Sequence, residues 1–107
     1  MIFKKGSEIV AIPLSPETRR KLKRVFREED QGDAKRLLVN ECADNLPLAG
    51  NTDEFKSERI RFAVMRLSKG NIEDLKNQIH AAQQDWRDVL LAAGFANNVD
   101  EHKRWNP

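Results

Sequence analysis

Between Arg19 and Arg27 six of nine side chains are basic and none is acidic. A run like this on one helix face can neutralise several phosphates or carboxylates, each contact adding a salt-sensitive increment to affinity. With Leu22 turned to the core, Arg20, Lys23, Arg24 and Arg27 occupy the exposed arc, flanked by Arg19 and Lys21. The ordinary alternative is a solvated helix face, balanced in part by the acids that follow at once, Glu28, Glu29, Asp30 and Asp33. No Asn, Gln or Ser interleaves the basic residues to read base edges, and Phe26, the one aromatic there, belongs to the apolar stripe.

Other chemistry is thinner. Asp85-Trp86-Arg87-Asp88 sets two carboxylates around an aromatic–cation pair, and with His80 five residues before Asp85 it forms a candidate ligand site of Asp85, Trp86 and His80. Its plainer reading is ion pairing to neighbouring helices. His80 has no acid at helical ligand spacing and lies far in sequence from His102, so no metal site is expected. Cys42, the single cysteine, falls on an apolar helical stripe and reads as a buried, inert thiol. There is no phosphate-binding glycine loop. The expectation is a non-enzyme without cofactor or catalytic residues.

The elements that must carry these residues are helices. Ser15-Pro16-Glu17 reads as an N-cap, a proline in the first turn and an acid beside the helix dipole. A first helix is predicted over 16–30, broken by Gln31-Gly32, with Asp33 capping a second that carries Leu37, Leu38, Val39, Cys42, Ala43 and Leu46 until Pro47 stops it. Thr52 opens a third, to about residue 69. Phe55, Phe62 and Met65 share one of its faces, and Ile60, Ala63, Val64 and Leu67 roughly the other. A helix apolar on two sides is central in its domain, or core on one side and interface on the other.

Gly70 caps that helix and Asn71 starts the fourth. There Ile72, Leu75, Ile79, Ala82, Trp86, Val89 and Ala93 follow 3-4 spacing over 22 residues. That stripe reads as a core helix before it reads as a dimer seam. Gly94 ends it in a Schellman motif, with Phe95 folding back on Leu90. Val99 and Trp105 are the residues that could tie the polar tail to the body.

The segment before Ser15 is extended in character. Ile2-Phe3 and the stretch from Glu8 to Leu14 could form a small hairpin. The order strand, Ser-Pro-Glu helix, glycine turn, second helix resembles the ribbon-helix-helix DNA-binding dimers, over less than half the chain. The resemblance implies strand pairing between two chains and insertion of outward strand residues in the major groove. Here those residues would be Ile9, Ala11 and Pro13, none of which can donate to a base edge.

Composition narrows the class. The 107 residues include 19 basic and 17 acidic side chains, with 39% hydrophobic residues. The charge is uneven: residues 1–36 hold ten basic and six acidic side chains, or +4, and residues 37–107 nine and eleven, or −2. No run approaches a membrane span and none near Met1 suits a signal peptide, so a cytoplasmic setting without a membrane partner is expected. One cysteine excludes an internal disulfide framework.

The fold class expected is all-α, a four-helix bundle-like single domain. It comprises a short extended N-terminal segment or hairpin (1–14), a helical domain (15–96) and a tail (97–107). The expected function is a non-catalytic protein–protein interaction module whose partner is another protein or a second copy of itself as a homodimer, with Phe55, Phe62 and Met65 as the contact residues. The alternative is nucleic-acid binding through Arg20, Lys23, Arg24 and Arg27.

Overall fold

Ser15 does what its position requires: its Oγ accepts the Thr18 N–H at 3.1 Å, with Pro16 in the first turn and Glu17 after it. In the computed structural model, whose described residues are 13–42, 54–98 and 100–107 (side chains of 54–57 excepted), this opens α1, Pro16–Val25. The other helices are α2, Glu28–Glu41, α3, Glu54–Ser68, and α4, Ile72–Ala93, followed by a 3₁₀ turn, Glu101–Arg104. The protein is all-helical and bundle-like, with no strand among the described residues. The expected hairpin, the ends set by Pro47 and Thr52, and Ala43, Leu46 and Val99 as packing residues lie outside the described residues, and so does the side chain of Phe55.

The first boundary differs from expectation. The chain leaves the helix at Phe26 and Arg27, both extended, and Glu28, Glu29 and Asp30 form the first turn of α2 instead of the end of α1. Helix dipoles decide this. Acids are favoured at a positive N-terminal end, and Lys23 and Arg24 at the negative C-terminal end of α1. Gln31 is no breaker: its Nε2 donates to the Phe26 carbonyl at 3.0 Å, satisfying the oxygen left by the chain break. Gly32 lies inside α2, and Asp33 pairs with Arg36 on its surface rather than capping it.

Both ends of α4 carry the caps expected from sequence. At the start of α4, Asn71 Oδ1 accepts the Asp74 N–H at 2.9 Å. At its end Gly94 is left-handed (φ 81°), and the Phe95 N–H reaches the Leu90 carbonyl at 2.9 Å, the Schellman bond. Gly70 is also left-handed (φ 85°), and a β-carbon there would lie 2.6 Å from the Val25 carbonyl oxygen. Glycine at 70 therefore serves both the turn and the close approach of α1.

α4 is not continuous. Asp85 is extended (φ −156°, ψ 94°) and its Oδ1 accepts the Arg87 N–H at 3.1 Å, so it caps a second helical segment from within. Asp competes with helical hydrogen bonds in this way more than most residues.

The core follows the heptad stripe: Leu75, Ile79, Ala82, Val89 and Ala93 are buried and Trp86 packs against them half-buried. α3 packs most extensively on α4 and also touches α1 and the 3₁₀ turn. Its second apolar face is covered by the chain's own tail. Phe62 meets the His102 ring at 5.3 Å and the Trp105 ring at 6.1 Å, edge to face.

Candidate interaction surface

Of the basic run, Arg19, Arg20, Lys23, Arg24 and Arg27 are exposed, but Lys21 is buried. The Lys21 Nζ donates to the Trp105 carbonyl at 2.6 Å, sits over the Phe62 ring at 5.2 Å, and lies 3.4 Å from Glu17. It is a structural residue, not part of a flank. Arg27 is also set apart: it folds onto the first turn of α2, 3.2 Å from Asp30 and 3.6 Å from Glu29. Arg20 pairs with Glu17, and Arg24 reaches the Asn106 side chain at 3.3 Å. Lys23 forms no ion pair among the described residues.

The arc thus brings together Arg20, Lys23 and Arg24, with Arg19 one turn below Lys23. Arg19 donates to the Leu14 carbonyl at 2.9 Å, which sets its guanidinium beside the start of α1. Between α1 and α2 the surface falls into a cleft of about 270 Å³, bounded by Arg19, Lys23 and Lys35 over Leu14 and Leu22. Lys35, which also lacks an ion pair among the described residues, was not among the residues read from sequence. With the α1–α2 break misplaced, nothing in the spacing ties it to the basic run.

The residues expected to form an association face are placed otherwise. Phe62 and Met65 are both 0% exposed in the chain's own core, and Phe55 falls outside the described side chains. α3 is apolar on two sides because it is central. The face that Phe62 offers is covered by Trp105 and His102, not left for a second copy.

The Asp85, Trp86 and His80 group is not gathered into one site. Asp85 spends its carboxylate on the helix break, Trp86 packs on the core with Arg87 5.5 Å from its ring, and His80 lines a separate cleft with Leu37, Glu41 and Lys76. Cys42 is wholly enclosed, and burial pushes its thiol up to about 12 against a smaller opposing pull from Arg61. It is a thiol, not a thiolate, at neutral pH.

One polar grouping escaped the sequence. Ser15 Oγ donates to Glu58 Oε1 at 2.6 Å, and Glu58 Oε2 lies 3.7 Å from His102 Nε2. His102 is 0% exposed, between Phe62 and Phe95. Burial holds its pKa below the usual 6.5; Lys103 and Arg59 add to that, and Glu58 opposes it. The order is wrong for nucleophilic catalysis. The serine bonds the carboxylate and not the imidazole, and its oxygen already caps α1. No signal joined these three residues in sequence, since 43 positions separate Ser15 from Glu58.

Among the described residues no cluster of three or more His, Cys, Asp or Glu is placed to hold a metal, and no helix is long and apolar enough to cross a membrane. No protein-family model matches the chain, and no curated protein and no solved structure shows significant similarity to it.

Proposed function

We propose that this chain is a non-catalytic protein–protein interaction module that docks an acidic partner on the α1 face. The observation that carries this reading is the exposure of Arg20, Lys23 and Arg24 together on one helix, while the apolar side chains are turned inward. Among the described residues Leu91 is the one large hydrophobic side chain left open, at 67%. Affinity on this surface would therefore come from charge. Association through Phe62 and Met65 draws no support from their enclosed position. A cytoplasmic setting belongs to the same reading, resting on a single, enclosed cysteine.

A protein partner is favoured over nucleic acid by what surrounds the patch. Glu17, Glu28, Glu29 and Asp30 interrupt any long track for a polyanion. The Pro13 and Leu14 carbonyls, which a paired ribbon would need as ladder acceptors, are taken by Arg61 and Arg19 at 3.1 and 2.9 Å.

Fluorescence anisotropy with labelled poly-glutamate and with labelled duplex DNA, each over a salt series, tests the reading. Poly-glutamate binding that weakens with salt and drops in the Arg20→Ala, Arg24→Ala double variant supports it. Duplex binding with the steeper salt slope would assign the face to nucleic acid. Silence of both probes would remove the proposal.

A further inference from the structure

We infer that the cleft between α1 and α2 seats one aliphatic side chain of an acidic peptide, with flanking carboxylates on Arg19, Lys23 and Lys35. This rests on the interaction-module reading above and names its partner chemistry.

Three observations carry it. The cleft's rim is cationic and its lining contains no acid, while its floor is the apolar pair Leu14 and Leu22. Apolar base and one-signed rim match a segment in which a Leu, Ile or Val sits between Asp or Glu residues. Its volume is about 270 Å³. That is under the ~300–1,000 Å³ of ordinary small-molecule sites and too little for a docked helix, itself ~10 Å across. An extended segment offering one side chain fits.

The third observation is Gly32. It lies inside α2, where glycine disfavours the helix, yet its φ is not positive and a β-carbon there would meet nothing within 4 Å. Neither backbone conformation nor packing calls for glycine. Gly32 lines the cleft, and the space next to its α-carbon is unoccupied.

Gly32→Leu is therefore the discriminating variant: it fills the cleft, keeps every charge and favours the helix. The probes are a fluorescein-labelled Asp-Glu-Leu-Glu-Asp peptide and its counterpart with Ala in place of Leu. The Leu peptide should bind the wild-type chain about tenfold more tightly, the worth of burying part of one leucine. Gly32→Leu should bring it to the level of the Ala peptide and leave poly-glutamate binding unchanged. Lys35→Ala should weaken both peptides severalfold. Circular dichroism confirms that both variants fold.

Equal affinity for the two peptides, or a Gly32→Leu chain that still prefers the Leu peptide, overturns the inference. If poly-glutamate binding still depends on Arg20 and Arg24 in that case, the interaction module stands and only the cleft falls. If no acidic probe binds the wild-type chain, both fall.

Discussion

The Lys21 ammonium donates to the main-chain carbonyl of Trp105 at 2.6 Å, joining the first helix to the last residues of the chain. The same nitrogen lies 5.9 Å from the Trp105 ring and 5.2 Å from that of Phe62. One cation from a run that reads as surface charge thus secures the tail over α3. Lys21→Ala should release it. We expect a loss of about 1–3 kcal/mol, the range for deserting a buried polar partner. Tryptophan emission should shift to the red as Trp105 is wetted. Unchanged emission would mean that the aromatic contacts suffice.

Arg61 is the polar centre of the bundle. It is 1% exposed, and its Nε donates to the Leu38 and Cys42 carbonyls at 3.1 and 3.2 Å while Nη1 reaches Pro13 at 3.1 Å. α2 has no basic residue in its own last turn, so the cation that faces its negative end comes from α3. Arg61→Leu should cost about 3–5 kcal/mol in urea unfolding, since two buried carbonyls and the part-buried Pro13 carbonyl lose their donor. Arg61→Lys should recover only part of it, because one ammonium cannot reproduce the guanidinium fork.

His102 makes stability depend on pH. Its pKa is depressed, chiefly by burial, so the unfolded chain binds the proton more readily than the folded one. Its contribution is therefore fully present above the unfolded value near 6.5 and is lost as pH falls through the folded value. The urea midpoint should drop between about pH 7.5 and about pH 5.5, and the drop should shrink in His102→Gln. The difference between the two profiles reports the imidazole together with its contact to Glu58, 3.7 Å away. Parallel profiles would show that His102 keeps its ordinary pKa.

The two left-handed glycines should differ in their response to alanine. At Gly94 a β-carbon has open space, so Gly94→Ala meets only the left-handed penalty, about 1–2 kcal/mol. At Gly70 the same φ cost adds to a contact of 2.6 Å with the Val25 main chain. Gly70→Ala should be the more destabilising by at least about 1 kcal/mol, as overpacking usually is. Equal thermal midpoints would show that α1 can move aside.

Local chemistry made most of the helices legible. Ser15, Gly70, Asn71 and Gly94 act through hydrogen bonds and dihedral angles within a few residues, and α4 spans the 22 residues that its heptad stripe marks, though the stripe does not foretell the break at Asp85. The α1–α2 break falls earlier than Gly32 suggests because two signals compete there. Gly32 looks like a breaker, but the dipole preference of three successive acids outweighs it, and Gln31 holds the turn.

The candidate site was half legible. The basic arc follows from helical spacing alone. Lys35 joins it only through the packing of α2 on α1, and Lys21 and Arg27 leave it through partners that spacing cannot identify, Trp105 across the chain and the acids of the next helix.

Sequence by itself determined the all-helical class, the turns and caps at Ser15, Gly70, Asn71 and Gly94, and the identity of the charged face, because these depend on short-range geometry. Tertiary structure alone decided that Phe62 and Met65 are core, that His102 is buried beside Glu58, and that the basic face borders a cleft. Each of those depends on which distant segment covers a surface. An apolar helix face must be removed from water, but water's exclusion is indifferent to whether a second chain or the chain's own tail does it.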